Sequence, residues 1–547
     1  RFAHALLRAI LYDDMPGSER VAAHRCAAEL LSALGGSARH SEIAHHFYRS
    51  LPAGEYRRAI AAARRAADAA ARVQAFEDAV TYYEWALEAQ ALDPETNARE
   101  RADLLFACGS SERLAGRYER ARRTLAAVVE IASQHGYGDL LLRSARVLRP
   151  THAVGAIPDR LVRSALEEVL RTSGDRPDPQ RISALSQLAC VPPYAHDMQR
   201  SDELSAEAVD LARKLGDGAA LCEALSARLH SLSGPDRVDE RLDVARELLE
   251  HDGRSPWLKA EAHSARIGAF LYRGDLSAAD AALRELELAV HEARFPEAIW
   301  FHDRIRNQRR VLDGEFEVAR AACKELGARA KRMGLSYGAL FTDAQRNSIA
   351  LAERGIEAAR DWNVQALFAL GDVLQPSFRA GFVALCAELG HERDARRMFE
   401  TMSARDFADV PRDIGYLNAL AHLARAAVLL ADFQRAERLY ERLAPYALFN
   451  TPNSLLFYEG SASHALAGVA AALGWDERAE AHFETALHQN ERFGARPQLA
   501  RSALEYAQWL ARRRGAGRAR PVAARAARLA SELGMDWVGA AAAPLAG

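Results

Sequence analysis

Apolar and polar positions along the chain alternate with helical spacing, and one short pattern keeps returning. A turn residue is followed two places on by an apolar residue. An Ala stands three residues further, and another apolar residue four beyond that. Residues 75–87 put Phe76, Ala79, Tyr83 and Ala86 in this frame. It returns as Gly116, Tyr118, Ala121, Leu125; as Gly274, Leu276, Ala279, Leu283; and as Gly314, Phe316, Ala319, Cys323. Looser copies are Gly390, Ala395, Phe399; Ala431, Phe433, Ala436, Tyr440; and Gly474, Ala479, Phe483, Ala486. The aligned alanines 79, 121, 279, 319, 395, 436 and 479 are separated by 42, 158, 40, 76, 41 and 43 residues. The two long gaps hold further copies at Ala165, Ala208 and Ala245, and at Ala359.

Each unit reads as a helical hairpin. The turn residue ends the first helix, the apolar residue after it packs into the hairpin, and the Ala leaves room for the facing helix. One hairpin cannot bury its apolar stripe alone, so neighbours must stack on it. The predicted fold is all-α: a tetratricopeptide-like α-solenoid, a right-handed superhelix of helical hairpins with a period of about 40 and a concave inner face. The Leu-Gly position of the short tetratricopeptide form is occupied only in part, by Cys108-Gly109, Leu423-Ala424 and Leu466-Ala467. Asp93-Pro94, Arg149-Pro150, Arg176-Pro177-Asp178-Pro179, Val191-Pro192-Pro193, Gly234-Pro235 and Thr451-Pro452-Asn453 read as loops between helices. Residues 1–50 look different, with short helices expected at 2–12, 18–34 and 41–51, so the solenoid proper is placed at 51–547.

Composition narrows the class. At roughly 100–200 residues per domain, 547 residues make several domains or one long array. Lys and Arg number 72 against 74 Asp and Glu, which argues against a strongly basic nucleic-acid binder. Aromatics are 7 % and β-branched stretches are scarce, so a sheet-based enzyme core is disfavoured. The six cysteines are spread out with no C-x-x-C pair, which indicates neither a disulfide framework nor a zinc site and fits a reducing cytoplasm. No apolar run reaches the ~18 residues of a membrane helix. The chain begins at Arg1 rather than Met and is expected to be a piece of a longer protein.

Candidate chemistry is sparse. The phosphate loop, the dinucleotide glycine fingerprint, H-E-x-x-H and G-x-S-x-G are all missing from the sequence. No catalytic or metal-ligating residue is proposed. His40, His45 and His46 form the densest histidine group, but His45 and His46 are expected on different helix faces, as a helix surface with one partly packed ring. The run Arg512, Arg513, Arg514, Arg518, Arg520, Arg525 and Arg528 would suit phosphates or an acidic partner; its hairpin context favours a solvated surface. The in-register aromatics Phe76, Tyr83, Tyr118, Phe316, Phe399, Phe433, Tyr440 and Phe483 are assigned to hairpin cores. Ligand contacts are expected from first-helix side chains on the concave face.

Three stretches carry a family resemblance. They are Arg1-Phe2-Ala3-His4-Ala5-Leu6-Leu7-Arg8 with Ile10-Leu11-Tyr12 and His24; Ile43-Ala44-His45-His46-Phe47 with the Phe76–Leu87 hairpin; and, most specifically, Leu443-Ala444-Pro445-Tyr446-Ala447, Glu459-Gly460-Ser461, Ala481-His482-Phe483-Glu484, Asn490 to Pro497 and Glu505-Tyr506-Ala507. In these the chain resembles the C-terminal half of large bacterial signal-transduction ATPases of the STAND type, including regulators with LuxR-type or winged-helix DNA-binding domains and relatives linked to cyclases or kinases. The resemblance implies that residues 1–50 end a winged-helix segment following an ATPase core upstream. It implies ATP or ADP as the parent's cofactor and none in this chain. His4 matches the family histidine that approaches the nucleotide phosphate; Ala5 stands where relatives often have Asp, and a helix-packing role for His4 is the alternative.

The expected function is therefore a non-catalytic sensor and protein-interaction arm of a bacterial ATP-dependent transcriptional or signalling regulator. It would be cytoplasmic, take a protein or small-molecule effector in its groove, and make no direct nucleic-acid or membrane contact. The alternatives are a stand-alone tetratricopeptide scaffold and the regulatory arm of a nucleotide cyclase.

Overall fold

The computed structural model describes residues 11–34, 39–148, 160–174, 176–190, 198–251, 255–335, 338–360, 362, 376–453 and 457–547. His4 lies outside the described residues, as do most of the helix expected at 2–12 and the side chain of Ala165. The chain forms two compact units, one of residues 1–150 and 160–174, the other of residues 151–159 and 175–547.

The first unit is a run of helices: α1 (Gly17–Leu34), α2 (His40–Arg49), α3 (Tyr56–Arg72), α4 (Phe76–Leu92), α5 (Ala98–Leu114), α6 (Tyr118–His135), α7 (Gly138–Leu148) and α8 (Arg160–Ser173). Each packs mainly on the next, as α3 does on α4 and α5 on α6. The second unit holds α9 (Pro179–Ala189), α10 (Met198–Leu215), α11 (Gly218–Ser231), α12 (Val238–His251), α13 (Pro256–Arg273), α14 (Leu276–Ala293), α15 (Pro296–Asp313), α16 (Phe316–Met333) and α17 (Gly338–Arg354). It continues with α18 (Pro376–Glu388), α19 (Glu392–Ser403), α20 (Tyr416–Leu429), α21 (Phe433–Leu443), α22 (Ala462–Ala472), α23 (Asp476–Arg492), α24 (Arg496–Arg513), α25 (Ala516–Leu533) and α26 (Asp536–Ala546). The architecture is all-α and tetratricopeptide-like, a solenoid of helical hairpins.

The repeat has a common stop signal. At Gly116, Gly274, Gly314, Gly390 and Gly474 the backbone turns left-handed after the first helix. The next amide then closes back on a carbonyl five residues earlier, as Arg117 does to Glu112, Asp275 to Phe270, Glu315 to Arg310, His391 to Cys386 and Trp475 to Ala470. This is the Schellman closure, and it satisfies carbonyls that the helix end leaves open. Where the frame lacks Gly, Gln74 and Ala431 adopt the same left-handed conformation. The aligned alanines 79, 121, 208, 245, 279, 319, 359, 395, 436 and 479 are all buried, Ala359 in a short 3-10 turn (Gly355–Ala359) and the others within α-helices. Ala519, forty residues after Ala479 and also buried, brings the hairpin that carries the basic run into the same frame.

Three expectations need correction. Thr451-Pro452-Asn453 is not a loop: β1 (Asn450–Asn453) pairs antiparallel with β2 (Phe457–Ser461), the one sheet among the described residues. Pro452 is tolerated because β1 has a single strand partner. Phe433 is 47 % exposed and does not belong to a hairpin core. It opens the second helix of its pair, yet Asp432 caps that helix through Arg435 N at 3.1 Å and Tyr440 and Leu439 supply the burial. Phe76 and Tyr118 are half-buried, whereas Tyr83, Phe316, Phe399, Tyr440 and Phe483 are core.

The third correction concerns the second unit, which is more than a chain of nearest neighbours. Helix α15 packs on α24, α17 packs on α26, and α13 meets β1. Tyr272 at the end of α13 is fully buried and donates its hydroxyl to the Ile414 carbonyl at 2.8 Å. Asn450 Nδ2 donates to the Leu271 carbonyl at 3.0 Å. Arg412 holds Asp236 with two hydrogen bonds, at 2.7 and 2.9 Å, and Tyr446 donates to the same carboxylate. At the far end Trp537 Nε1 donates to the Ala352 carbonyl at 3.2 Å. One apolar core runs from Val238 to Ala542.

Candidate functional site

Because the second unit doubles back on itself, its first helices surround a cavity of about 420 Å³. That is within the size range of small-molecule sites. Its walls come from first-helix positions: Leu351 and Ala352 of α17, Leu385 and Glu388 of α18, His422 and Arg425 of α20, Gly468 and Val469 of α22, and Arg501 and Glu505 of α24. The ends are Glu459 on β2 and Trp537 on α26. Spacings of three and four residues (His422 and Arg425, His464 and Gly468, Arg501 and Glu505) put each set on one face of its helix. The cavity is thus lined where the concave face was expected to offer contacts.

The cavity wall carries both apolar and charged side chains. Arg425 grips Glu388 bidentately, Nη2 to Oε1 at 2.7 Å and Nε to Oε2 at 3.2 Å. Arg501 Nε donates to Glu505 Oε1 at 3.1 Å. His464 Nε2 lies 3.2 Å from Glu505 Oε2, and its Nδ1 is 2.9 Å from the Ser502 hydroxyl. Burial alone would raise the Glu505 pKa, but His464, Arg501 and Arg425 together hold it well below the usual carboxylate range. Burial likewise opposes ionisation of Glu388, and Arg425 outweighs it, so that pKa is also lowered. Burial and the neighbouring arginines keep the His422 pKa below its ordinary value, against the pull of Glu459 and Glu388. Among the described residues, no side chain hydrogen-bonds to or ion-pairs with Glu459 or His422.

Sequence reasoning did not find these residues. The available signal was charge inside an Ala-rich stripe: Arg425 in Leu-Ala-Arg-Ala-Ala and His464 in Ser-His-Ala-Leu-Ala. Identifying it requires knowing which stripe faces inward, and that depends on the closure of the unit.

The histidine cluster lies in the first unit and is built differently from expectation. His45 and His46 approach each other, ring centroids 5.5 Å apart, because His24 of α1 meets both, at 5.8 and 5.0 Å. His24 Nδ1 is 2.7 Å from His46 Nδ1, and the Tyr12 hydroxyl is 2.8 Å from His24 Nε2. No group of three metal-ligating side chains is placed to hold an ion among the described residues. The basic run is a solvated, ion-paired surface: Arg514 and Arg518 reach Glu480, Arg513 reaches Asp476, and Arg525 reaches Glu491. No described helix is long and apolar enough to cross a membrane.

No protein-family model and no curated protein matches the chain. Three solved structures show remote likeness. A Rap protein complexed with competence and sporulation factor shares 15 % identity, covering 71 % of this chain and 99 % of that one, with a TM-score of 0.38. Ypp1 shares 8 % identity over 92 % of this chain and 90 % of its own, with a TM-score of 0.32. Yeast Tom70 shares 13 % identity over 90 % and 96 %, with a TM-score of 0.25. With likeness this remote, the fold assignment rests on the helix pairing and repeat stops described above.

Proposed function

We propose that this chain is the non-catalytic sensor and interaction arm of a bacterial ATP-dependent signal-transduction or transcriptional regulator. In this reading an ATPase core precedes Arg1 in a cytoplasmic parent protein, and an effector or partner protein binds inside the helical array. The observation that carries the binding role is the cavity of the second unit, where first-helix side chains set charged groups into an otherwise apolar wall. A solenoid presents such an inner surface without the convergent nucleophile, base and oxyanion donors that chemistry requires. The ATPase parent rests on the sequence resemblance alone.

An effector acts by favouring one arrangement of the arm over another. Deleting residues 60–547 from the parent is expected to abolish the effect of effector on ATP turnover. Unchanged effector-dependent turnover would overturn the proposal.

A further inference from the structure

The charge pairing around the cavity is incomplete in one place. Arg425 is matched by Glu388, while Arg501 and His464 share Glu505. Glu459 remains, half-buried on β2 at the cavity wall with no hydrogen-bond or ion-pair partner among the described residues, Arg425 being the guanidinium that feels its charge from further off. The neighbouring α24 brings Gln498 against the same strand: its Nε2 donates to the Tyr458 carbonyl at 2.8 Å, and its amide oxygen is buried and accepts nothing. His422 adds an imidazole, also without a hydrogen-bond partner. Two of the groups left open are acceptors only, the Glu459 carboxylate and the Gln498 amide oxygen. A carboxylate set in a partly apolar wall is costly until a counter-charge or donors reach it. Around the cavity the carboxylates of Glu388, Glu459 and Glu505 stand against the two guanidinium groups of Arg425 and Arg501. An anionic ligand gains nothing from this arrangement. Leu351, Ile356, Val469 and Trp537 line the same cavity and suit an uncharged body.

We propose that the cavity binds a small organic cation, a protonated amine held at Glu459 and Gln498 with its apolar body over Leu351, Ile356 and Trp537. The inference deepens the proposed function by naming an effector class for the same cavity.

Titration calorimetry on the full 547-residue chain at neutral pH tests it with phenethylamine, phenethyl alcohol and phenylacetate as probes. The amine is expected to bind about tenfold more tightly than the alcohol, a difference of about 1.4 kcal/mol, and phenylacetate most weakly. Glu459→Gln should erase the preference for the amine while leaving the melting temperature of the free chain unchanged. Gly468→Leu provides a second variant: Gly468 lines the cavity and a Cβ there meets no atom within 4 Å, so a larger side chain fills the space without displacing the wall. It should remove binding of all three probes. Equal binding of amine and alcohol, tightest binding of phenylacetate, no binding of the amine at millimolar concentration, or amine binding indifferent to Glu459→Gln would each overturn the inference. Those outcomes are separable from failure of the arm's role, which is read from ATP turnover of the deleted parent.

Discussion

The two units share one kind of hairpin and use it differently. In the first, helices pack with those one or two places away in the chain, and burial at Ala79, Tyr83 and Ala121 is a local matter. In the second, contacts bridge more than a hundred residues: Tyr272 to Ile414, Asp236 to Arg412 and Tyr446, Ala352 to Trp537. Stability in a nearest-neighbour array is a sum over adjacent units. Closure adds couplings that bind distant repeats into one cooperative body. The cavity lies in the unit that closes. A regular repeat is enough to build a solenoid; the 231–238 and 404–415 connections carry the long-range contacts, and the β1–β2 hairpin adds Thr451, Tyr458 and Glu459 to a cavity otherwise walled by helices.

The largest expected effect tests that coupling directly. Tyr272→Ala removes a fully buried ring and the hydroxyl that satisfies the Ile414 carbonyl, at an expected cost of about 3–5 kcal/mol. Hydrogen exchange resolved by peptide should show protection lost across 412–461 as well as in α13. Tyr83→Ala in the first unit should loosen only α3 to α5. Loss confined to α13 in the first variant would show that closure carries little coupling.

Next come two glycines that differ in what constrains them. A Cβ at Gly234 would overlap the backbone carbonyl of Arg412, so Gly234→Ala pushes the closing connections apart and should cost about 3 kcal/mol. Gly136 has a φ of 71° and open space around it, so Gly136→Ala meets only the left-handed backbone penalty of about 1 kcal/mol. Denaturant titration of each variant gives the comparison; equal costs would mean that the approach of residues 234 and 412 relaxes freely.

How far the sequence revealed each unit follows the same division. The Ala frame and its glycine stops record a packing constraint that every copy meets, so Ala79, Ala319 and Ala479 were readable from spacing alone. Tyr272, Asp236 and Trp537 meet partners far along the chain, and no periodicity marks them. The Glu388–Arg425–Glu505 group was hidden for a related reason: charged residues on an Ala-rich helix look like solvated positions, and only the fold shows that these three meet at one cavity. Phe433 erred the opposite way, since its register matches the core aromatics although it sits at the exposed start of its helix. His24 lies 21 residues before His45, and only the packing of α1 on α2 joins them.

Acid acts on both units, on the second through single buried histidines such as His263 and His422 and on the first through a group of three. Burial, and repulsion from one another and from Arg49, lower the pKa values of His24 and His45; burial lowers that of His46 despite the nearby Glu42. The unfolded chain then takes up protons more readily than the folded one. The stability this contributes is present above the ordinary histidine pKa of about 6.5 and is lost as the pH falls through the lowered folded values. Urea midpoints for the first unit should therefore fall between neutral pH and mildly acidic pH. His24→Phe should flatten that slope, since it removes the ring that both other histidines meet. A slope unchanged by the substitution would place the acid sensitivity elsewhere.

The smallest effect is expected at the ion pairs that join neighbouring hairpins on the outer surface. Arg435 donates to both oxygens of Glu400 at 2.8 and 2.7 Å, linking α21 to α19, and Asp432 shares the same guanidinium. The geometry is bidentate, yet the carboxylate side chain is 58 % exposed, so water and salt screen it. Exposed pairs of this kind are worth about 0.2–1 kcal/mol. A double-mutant cycle with Arg435→Ala and Glu400→Ala should give a coupling in that range at low salt and close to zero in molar salt. The pair Arg425–Glu388, cut by Arg425→Ala, leaves Glu388 without its bidentate partner and should be screened less, because its carboxylate side chain is 31 % exposed rather than 58 %. If the outer pair kept its coupling in molar salt, the contrast between local surface links and the enclosed charge group would disappear, and stability would have to be assigned to the outer face of the repeats as well as to closure.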